Sequence, residues 1–145
     1  MVTEPGDLRT ALRDLRIELA LNTARVAALA GLNDSDLAVL DVLVREGGRS
    51  PTALARRTGT HPATLTGVLA RLEKGGWVLR RRDATDRRSV LIEPVGAERL
   101  ARLYRDGSQS LDELAEGLTG PERTVVLTYL RSAADLIRAA TERLG

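Results

Sequence analysis

Arginine is the chemically capable residue that this sequence has in quantity. Of 22 basic side chains 21 are arginine and one is Lys74, while cysteine is absent and His61 is the single histidine. Without thiols there are no disulfides, thiolate metal sites or cysteine nucleophiles, and one imidazole does not readily build a multi-histidine metal site or a Ser-His triad. Acid–base work would fall to carboxylates, and no pair of them stands in a recognisable catalytic motif. Neither an enzyme nor a bound cofactor or metal is expected.

The basic residues are unevenly spread. From Arg49 to Arg88 ten basic residues (Arg49, Arg56, Arg57, Arg71, Lys74, Arg80, Arg81, Arg82, Arg87 and Arg88) face three acidic ones (Glu73, Asp83 and Asp86), a local charge of +7. The rest of the chain, with 12 basic and 17 acidic residues, carries −5. Such asymmetry is the electrostatic footprint of a surface that meets a polyanion, flanked by segments that do not. Aromatic residues are limited to Trp77, Tyr104 and Tyr129, too few for a platform that stacks single-stranded bases.

Periodicity identifies the elements that must position these cations. Leu8, Leu12, Leu15 and Leu19, continued by Val26 and Leu29, predict a long amphipathic helix over about Asp7 to Ala30. Asn33, Asp34 and Ser35 offer caps for a second helix carrying Leu37, Leu40, Val42 and Leu43, which Gly47-Gly48 stops. Ser50-Pro51 caps a short third helix through Arg57, broken by Thr58-Gly59-Thr60. Thr60 can cap a fourth helix from His61 or Pro62 to Lys74, with Leu65, Val68, Leu69 and Leu72 on one side and Thr64, Gly67, Arg71 and Lys74 roughly opposite. Trp77 to Arg80 and Ser89 to Ile92 are β-prone runs around a polar hairpin turn. A long helix follows from about residue 97, with a possible bend at Gly107, and Thr119-Gly-Pro-Glu122 opens a last helix with Val126, Leu130, Ala133, Ile137 and Leu144 at helical spacing.

A short helix, a glycine turn, a helix with one apolar and one small polar face, and a basic hairpin form a winged helix-turn-helix. The fold class expected is therefore mainly α with a small two- to three-stranded β wing. The major groove of DNA accepts a helix whose exposed residues are short enough to approach base edges, which Thr60, His61, Pro62, Ala63, Thr64, Thr66 and Gly67 are. Arg71 and Lys74 at the far end suit phosphates, as do Ser50, Thr52, Arg56 and Arg57 around the third helix. Arg81, Arg82, Arg87 and Arg88, with Asp86 between them, make a wing able to reach a minor groove. For His61, DNA contact and incidental exposure both remain open; Trp77 is read as core.

Three runs carry a family resemblance: Pro51 to Gly59, Thr64 to Val78 with its Arg-Leu-Glu-Lys-Gly-Gly-Trp-Val segment, and Asp83 to Ser89 with Asp86 and Arg88 at the wing signature. Together they resemble the MarR family of bacterial transcriptional regulators, well over residues 33–100 and by length and character in the flanking helices. The resemblance implies one domain over 1–145, with a DNA-binding lobe at 33–96 and dimerisation helices at 1–32 and 97–145. It implies a homodimer on a pseudo-palindromic double-stranded operator, repression as the usual outcome, and control by a small phenolic or anionic effector; Tyr104 could line the effector cleft, although packing is the role its position favours. Broad apolar stripes at both ends of a small chain independently call for a partner surface. Arg88 would enter the minor groove and Asp86 would steady the hairpin by pairing with an arginine, a simple turn residue being the alternative that the type of Asp86 favours. The family's second wing strand usually continues into Leu-Thr, whereas Ile92 to Gly96 is shorter here. A winged-helix module for RNA or an acidic protein, without sequence-specific DNA binding, is the alternative.

A length of 145 residues with 43% apolar and 29% charged side chains fits one globular domain. The N-terminus has no signal-peptide character and no apolar run is long enough to span a membrane, so a cytoplasmic protein with no membrane partner, nucleoid-associated when bound, is expected.

Overall fold

The computed structural model describes residues 4–86 and 88–144. Its elements are α1 (Pro5–Ala30), α2 (Asp34–Glu46), α3 (Pro51–Thr58), α4 (Pro62–Lys74), β1 (Val78–Arg82), β2 (Val90–Pro94), α5 (Ala97–Glu116) and α6 (Gly120–Glu142). Two compact units make up the chain, with their boundary between Leu103 and Tyr104 inside α5.

In the first unit α2 is fixed at its start by a reciprocal cap. Asn33 Oδ1 accepts the Asp36 amide at 2.8 Å, and the Asp36 carboxylate accepts the Asn33 amide at 3.5 Å. The helix buries Leu37, Val39, Leu40 and Leu43. Val39 takes the place expected for Val42, which is half-buried. Leu54 of α3 and Leu65, Val68, Leu69 and Leu72 of α4 complete this core, each leucine contributing about 1.5–3 kcal/mol by leaving water. Only the C-terminal end of α1, at Val26 and Ala27, is buried.

The hairpin is antiparallel from Val78↔Pro94 to Arg82↔Val90. The second strand therefore runs past Ile92 to Pro94, where a residue without an N–H is tolerated because the ladder ends there. Arg49 adds a single bridge to Ile92, through Arg49 N–H to the Ile92 carbonyl at 3.0 Å and the reverse bond at 2.8 Å. The wing is thus two strands with one residue standing in for a third. At its base Trp77 is 1% exposed. Its N–H donates to the Leu72 carbonyl, and its carbonyl accepts from Val95 and Gly96. Arg99 lies 3.8 Å above the ring centroid and donates to the Gly75 carbonyl.

The wing turn is held by two carboxylates. Asp83 Oδ1 accepts the Thr85 amide at 2.9 Å and its hydroxyl at 2.8 Å, while Asp86 Oδ1 accepts the Arg88 amide at 2.9 Å. Ser89 donates to the Asp86 carbonyl through both its amide and its hydroxyl. Chiefly through the Thr85 amide, and then its hydroxyl, the Asp83 pKa is held below the usual 3.8.

In the second unit α5 continues without interruption through Gly107, so the sequence's possible bend is not realised. Thr119 donates its amide and hydroxyl to Glu122 Oε2 at 2.7 and 2.6 Å, as the capping motif predicts. None of the residues of α6 is buried within the single chain, and Val125, Leu136 and Ile137 are each about two-thirds exposed.

Two measurements check this architecture. A Cβ on Gly96 would lie 2.5 Å from Trp77 Cε3 and 3.2 Å from Trp77 Cα. Gly96→Ala is expected to cost about 1–3 kcal/mol, read as a lower melting temperature from the emission of the chain's single tryptophan; unchanged melting would contradict the packing. Because folding lowers the Asp83 pKa, its ionisation adds stability above the unfolded value, and that stability is lost as pH falls through the folded value. A carboxyl NMR titration should give Asp83 a midpoint below 3.8, and Thr85→Val should raise it; a midpoint at or above 3.8 in the unaltered protein would exclude the turn geometry.

Candidate nucleic-acid interface

The turn between α3 and α4 sets the angle at which α4 is presented. Ser50 caps α3 by accepting the Ala53 amide at 3.2 Å. Gly59 takes the left-handed conformation (φ 65°) that ends the helix, and both it and Thr60 donate their amides to the Ala55 carbonyl. The cap of α4 is His61 and not Thr60: His61 Nδ1 accepts the Ala63 amide at 3.2 Å, and Pro62 follows as the first helical residue. The Thr60 hydroxyl is instead bonded to that of Thr58 at 2.8 Å, and the Thr58 hydroxyl also donates to the Leu54 carbonyl. His61 therefore has a structural task whatever else it touches, with its Nδ1 unprotonated to make that bond.

The residues expected on the outer side of α4 lie there. His61, Pro62, Ala63, Thr64, Thr66, Arg71 and Lys74 are exposed, and Gly67 and Thr60 are half-buried. The Thr66 hydroxyl donates back to the Pro62 carbonyl at 3.0 Å. The Thr64 hydroxyl has no intramolecular partner among the described residues. On the inner side Leu65, Val68, Leu69 and Leu72 anchor the helix to α2 and α3.

Four carboxylates, Asp36, Glu46, Glu73 and Glu93, engage half of the basic cluster. Arg71 donates Nε and Nη2 to Asp36, the shortest contact being 2.7 Å, although their positions are 35 residues apart. The side chain of Asp36 is 3% exposed, and it is the one buried charged residue among those described. Glu46 at the end of α2 receives both Arg49 at 2.7 Å and Arg57 at 2.6 Å. Arg80 meets Glu73 of α4 at 3.1 Å, and Arg81 meets Glu93 across the hairpin at 2.9 Å. Arg71, Arg57 and Arg81 were expected as DNA contacts; each is also part of an internal pair.

Arg56, Lys74, Arg82 and Arg88 are exposed and have no ion-pair partner among the described residues. Arg87 lies outside the described residues. Asp86 makes no ion pair with an arginine among the described residues; its carboxylate accepts the Arg88 amide, the kind of contact a turn residue makes. Thr52 is exposed and Ser50 half-buried. The capping spacing Asn33-x-x-Asp36 could have drawn attention to Asp36, but nothing in sequence separation signals its burial beside α4. Among the described residues no group of three or more His, Cys, Asp or Glu side chains could hold a metal ion, and no helix is long and apolar enough to cross a membrane.

Comparison with known proteins accords with this geometry. The sequence model described as MarR family matches residues 30–89, which hold the α2–α4 core and the outgoing half of the wing. The chain is 32% identical to the uncharacterized HTH-type transcriptional regulator YcgE of Bacillus subtilis, over 91% of this chain and 87% of that one. Among solved structures, a MarR family protein from Bacillus stearothermophilus superposes with a TM-score of 0.69 at 21% identity, covering 91% of this chain and 94% of that one. NadR, crystallised in complex with 4-hydroxyphenylacetate, superposes with a TM-score of 0.62 at 25% identity, covering 92% and 97%. A glycine-turned helix pair, an outward helix face and a basic two-stranded wing, in a chain related to such regulators along nearly its whole length, make this protein a member of the MarR family of winged helix-turn-helix transcriptional regulators.

Proposed function

We propose that the protein is a sequence-specific repressor that binds a pseudo-palindromic operator as a homodimer. The observation that carries this reading is the pairing of a small, polar outer face on α4 with exposed cations at the hairpin. Thr64 is short enough for a base edge to approach, and Arg82 and Arg88 are not neutralised by a carboxylate among the described residues. In this reading α4 enters the major groove, the wing tracks the adjacent minor groove, and Arg56 and Lys74 contact flanking phosphates.

The dimer is supported by the apolar side chains that a single chain leaves in water. Leu21 and Leu29 of α1, Leu114 of α5, and Val125, Leu136 and Ile137 of α6 are all more than 60% exposed. Faces of this kind mark interaction surfaces, and a second copy would bury them and give the assembly the two-fold symmetry of a palindrome. The ligand in the NadR structure combines a phenol with a carboxylate, which supports a phenolic or anionic effector here. Such an effector would act by binding one dimer geometry better than another.

Selection of duplexes from a random pool, followed by binding of the selected duplex across a salt series, tests the reading. The selected duplex should be preferred over unrelated DNA by orders of magnitude. Arg82→Ala and Arg88→Ala should each reduce the slope of log affinity against log salt by about one unit. Arg81→Ala should reduce it less, because Glu93 already neutralises that side chain. Equal affinity for all duplexes would instead favour an RNA- or protein-interaction module. Light scattering should give twice the 15.7 kDa chain mass, and a monomer at micromolar concentration would contradict the dimer.

A further inference from the structure

Arg71 stands on the outer side of the recognition helix, yet its guanidinium is turned back toward α2. Three contacts of 2.7–3.1 Å join its Nε and Nη2 to the Asp36 carboxylate. Nη1 makes none of these contacts and lies over Gly67, 3.4 Å from where a Cβ on that residue would stand. Asp36 is almost fully buried, whereas 52% of the Arg71 side chain remains exposed. The carboxylate is itself anchored, because its residue closes the cap at the start of α2 with Asn33. A side-on carboxylate leaves a planar guanidinium little rotational freedom and leaves its remaining donors facing outward.

We propose that Asp36 is a positioning residue for DNA recognition, holding Arg71 so that Nη1 is presented over Gly67 as a preset donor to an operator phosphate. A free arginine loses rotamer entropy when it meets DNA, whereas one held by a buried carboxylate has already lost it on folding. The contact also acquires a fixed position relative to α2, so it sets how deeply and at what angle α4 sits in the groove. It thereby favours the operator, whose base edges match that seating, over unrelated DNA. Gly67 fits this arrangement: an alanine there would be in ordinary contact with Nη1, but a larger side chain would compete for the space.

This proposal rests on the reading of the protein as a sequence-specific DNA binder. Its test uses the full-length protein with two duplexes of equal length, one selected from a random pool and one unrelated. Removing a negative charge beside a polyanion should tighten binding if electrostatics alone acts, so the sign for Asp36→Asn is diagnostic. Positioning predicts that Asp36→Asn lowers the preference for the selected duplex about tenfold while affinity for the unrelated duplex holds or rises. Arg71→Lys, which keeps the charge but cannot bind side-on, should lose a similar preference, and the double variant should lose no more than either single one. Asp36→Asn leaving the preference unchanged or raising it, or the two effects multiplying, would overturn the proposal. If Asp36→Asn fails to fold, Arg71→Lys with full preference retained overturns it equally. Absence of any preference in the unaltered protein would instead refute the functional reading beneath it.

Discussion

The seating of Trp77 is the constraint on which the winged helix-turn-helix depends. Its amide closes the end of α4, its carbonyl receives the two amides that lead into α5, and its ring is buried where Gly75 and Gly96 carry no side chains. Arg99 covers the ring and ties itself to the Gly75 carbonyl. One rigid aromatic thus fixes the last turn of α4, the first residue of the wing and the first turn of α5 to one another. In the proposed reading, where the helix and the hairpin enter neighbouring grooves, such a fixed relation matters because an error in their spacing would be felt at both contacts.

Charge is arranged around that frame in two ways. Some arginines are consumed internally: Glu46 gathers Arg49 and Arg57, Glu73 takes Arg80 and Glu93 takes Arg81. The pairs of Arg80 and Arg81 are exposed enough to contribute little stability, whereas the half-buried Glu46 ties the end of α2 to α3 through Arg57. Others, Arg56, Lys74, Arg82 and Arg88, remain directed to solvent without a carboxylate among the described residues. The local charge of +7 therefore overstates the number of independent cations, while the wing keeps its outermost ones. Asp36 differs from the other acids because burial makes its bond to Arg71 hard to exchange for water.

The order of elements was legible because each rests on a local signal. Leucine spacing marks the helices, Ser50-Pro51 and Thr119-Gly-Pro-Glu122 mark their starts, and Gly59 marks the turn. Differences arose where a local signal did not decide the three-dimensional outcome. Thr60, a good cap by type, bonds its hydroxyl to Thr58 while His61 caps α4, and Val39 of α2 is buried where Val42 was expected. The Arg88 amide that the Asp86 carboxylate accepts is brought there by hairpin geometry, which is settled only when both strands pair. Pairings such as Asp36 with Arg71 were not legible, since they join positions far apart in sequence through a fold that neither residue signals. The outer face of α4 was legible as a face, but not which of its cations were already engaged.

Hydrogen–deuterium exchange of the full-length protein, alone and with a duplex selected from a random pool, measures most directly whether this lobe is the DNA-reading surface. The account predicts that the duplex slows exchange chiefly across residues 61–74 and 82–89, with an unrelated duplex of equal length protecting the same segments far less. Protection confined to α5 and α6, or equal protection by both duplexes, would contradict it.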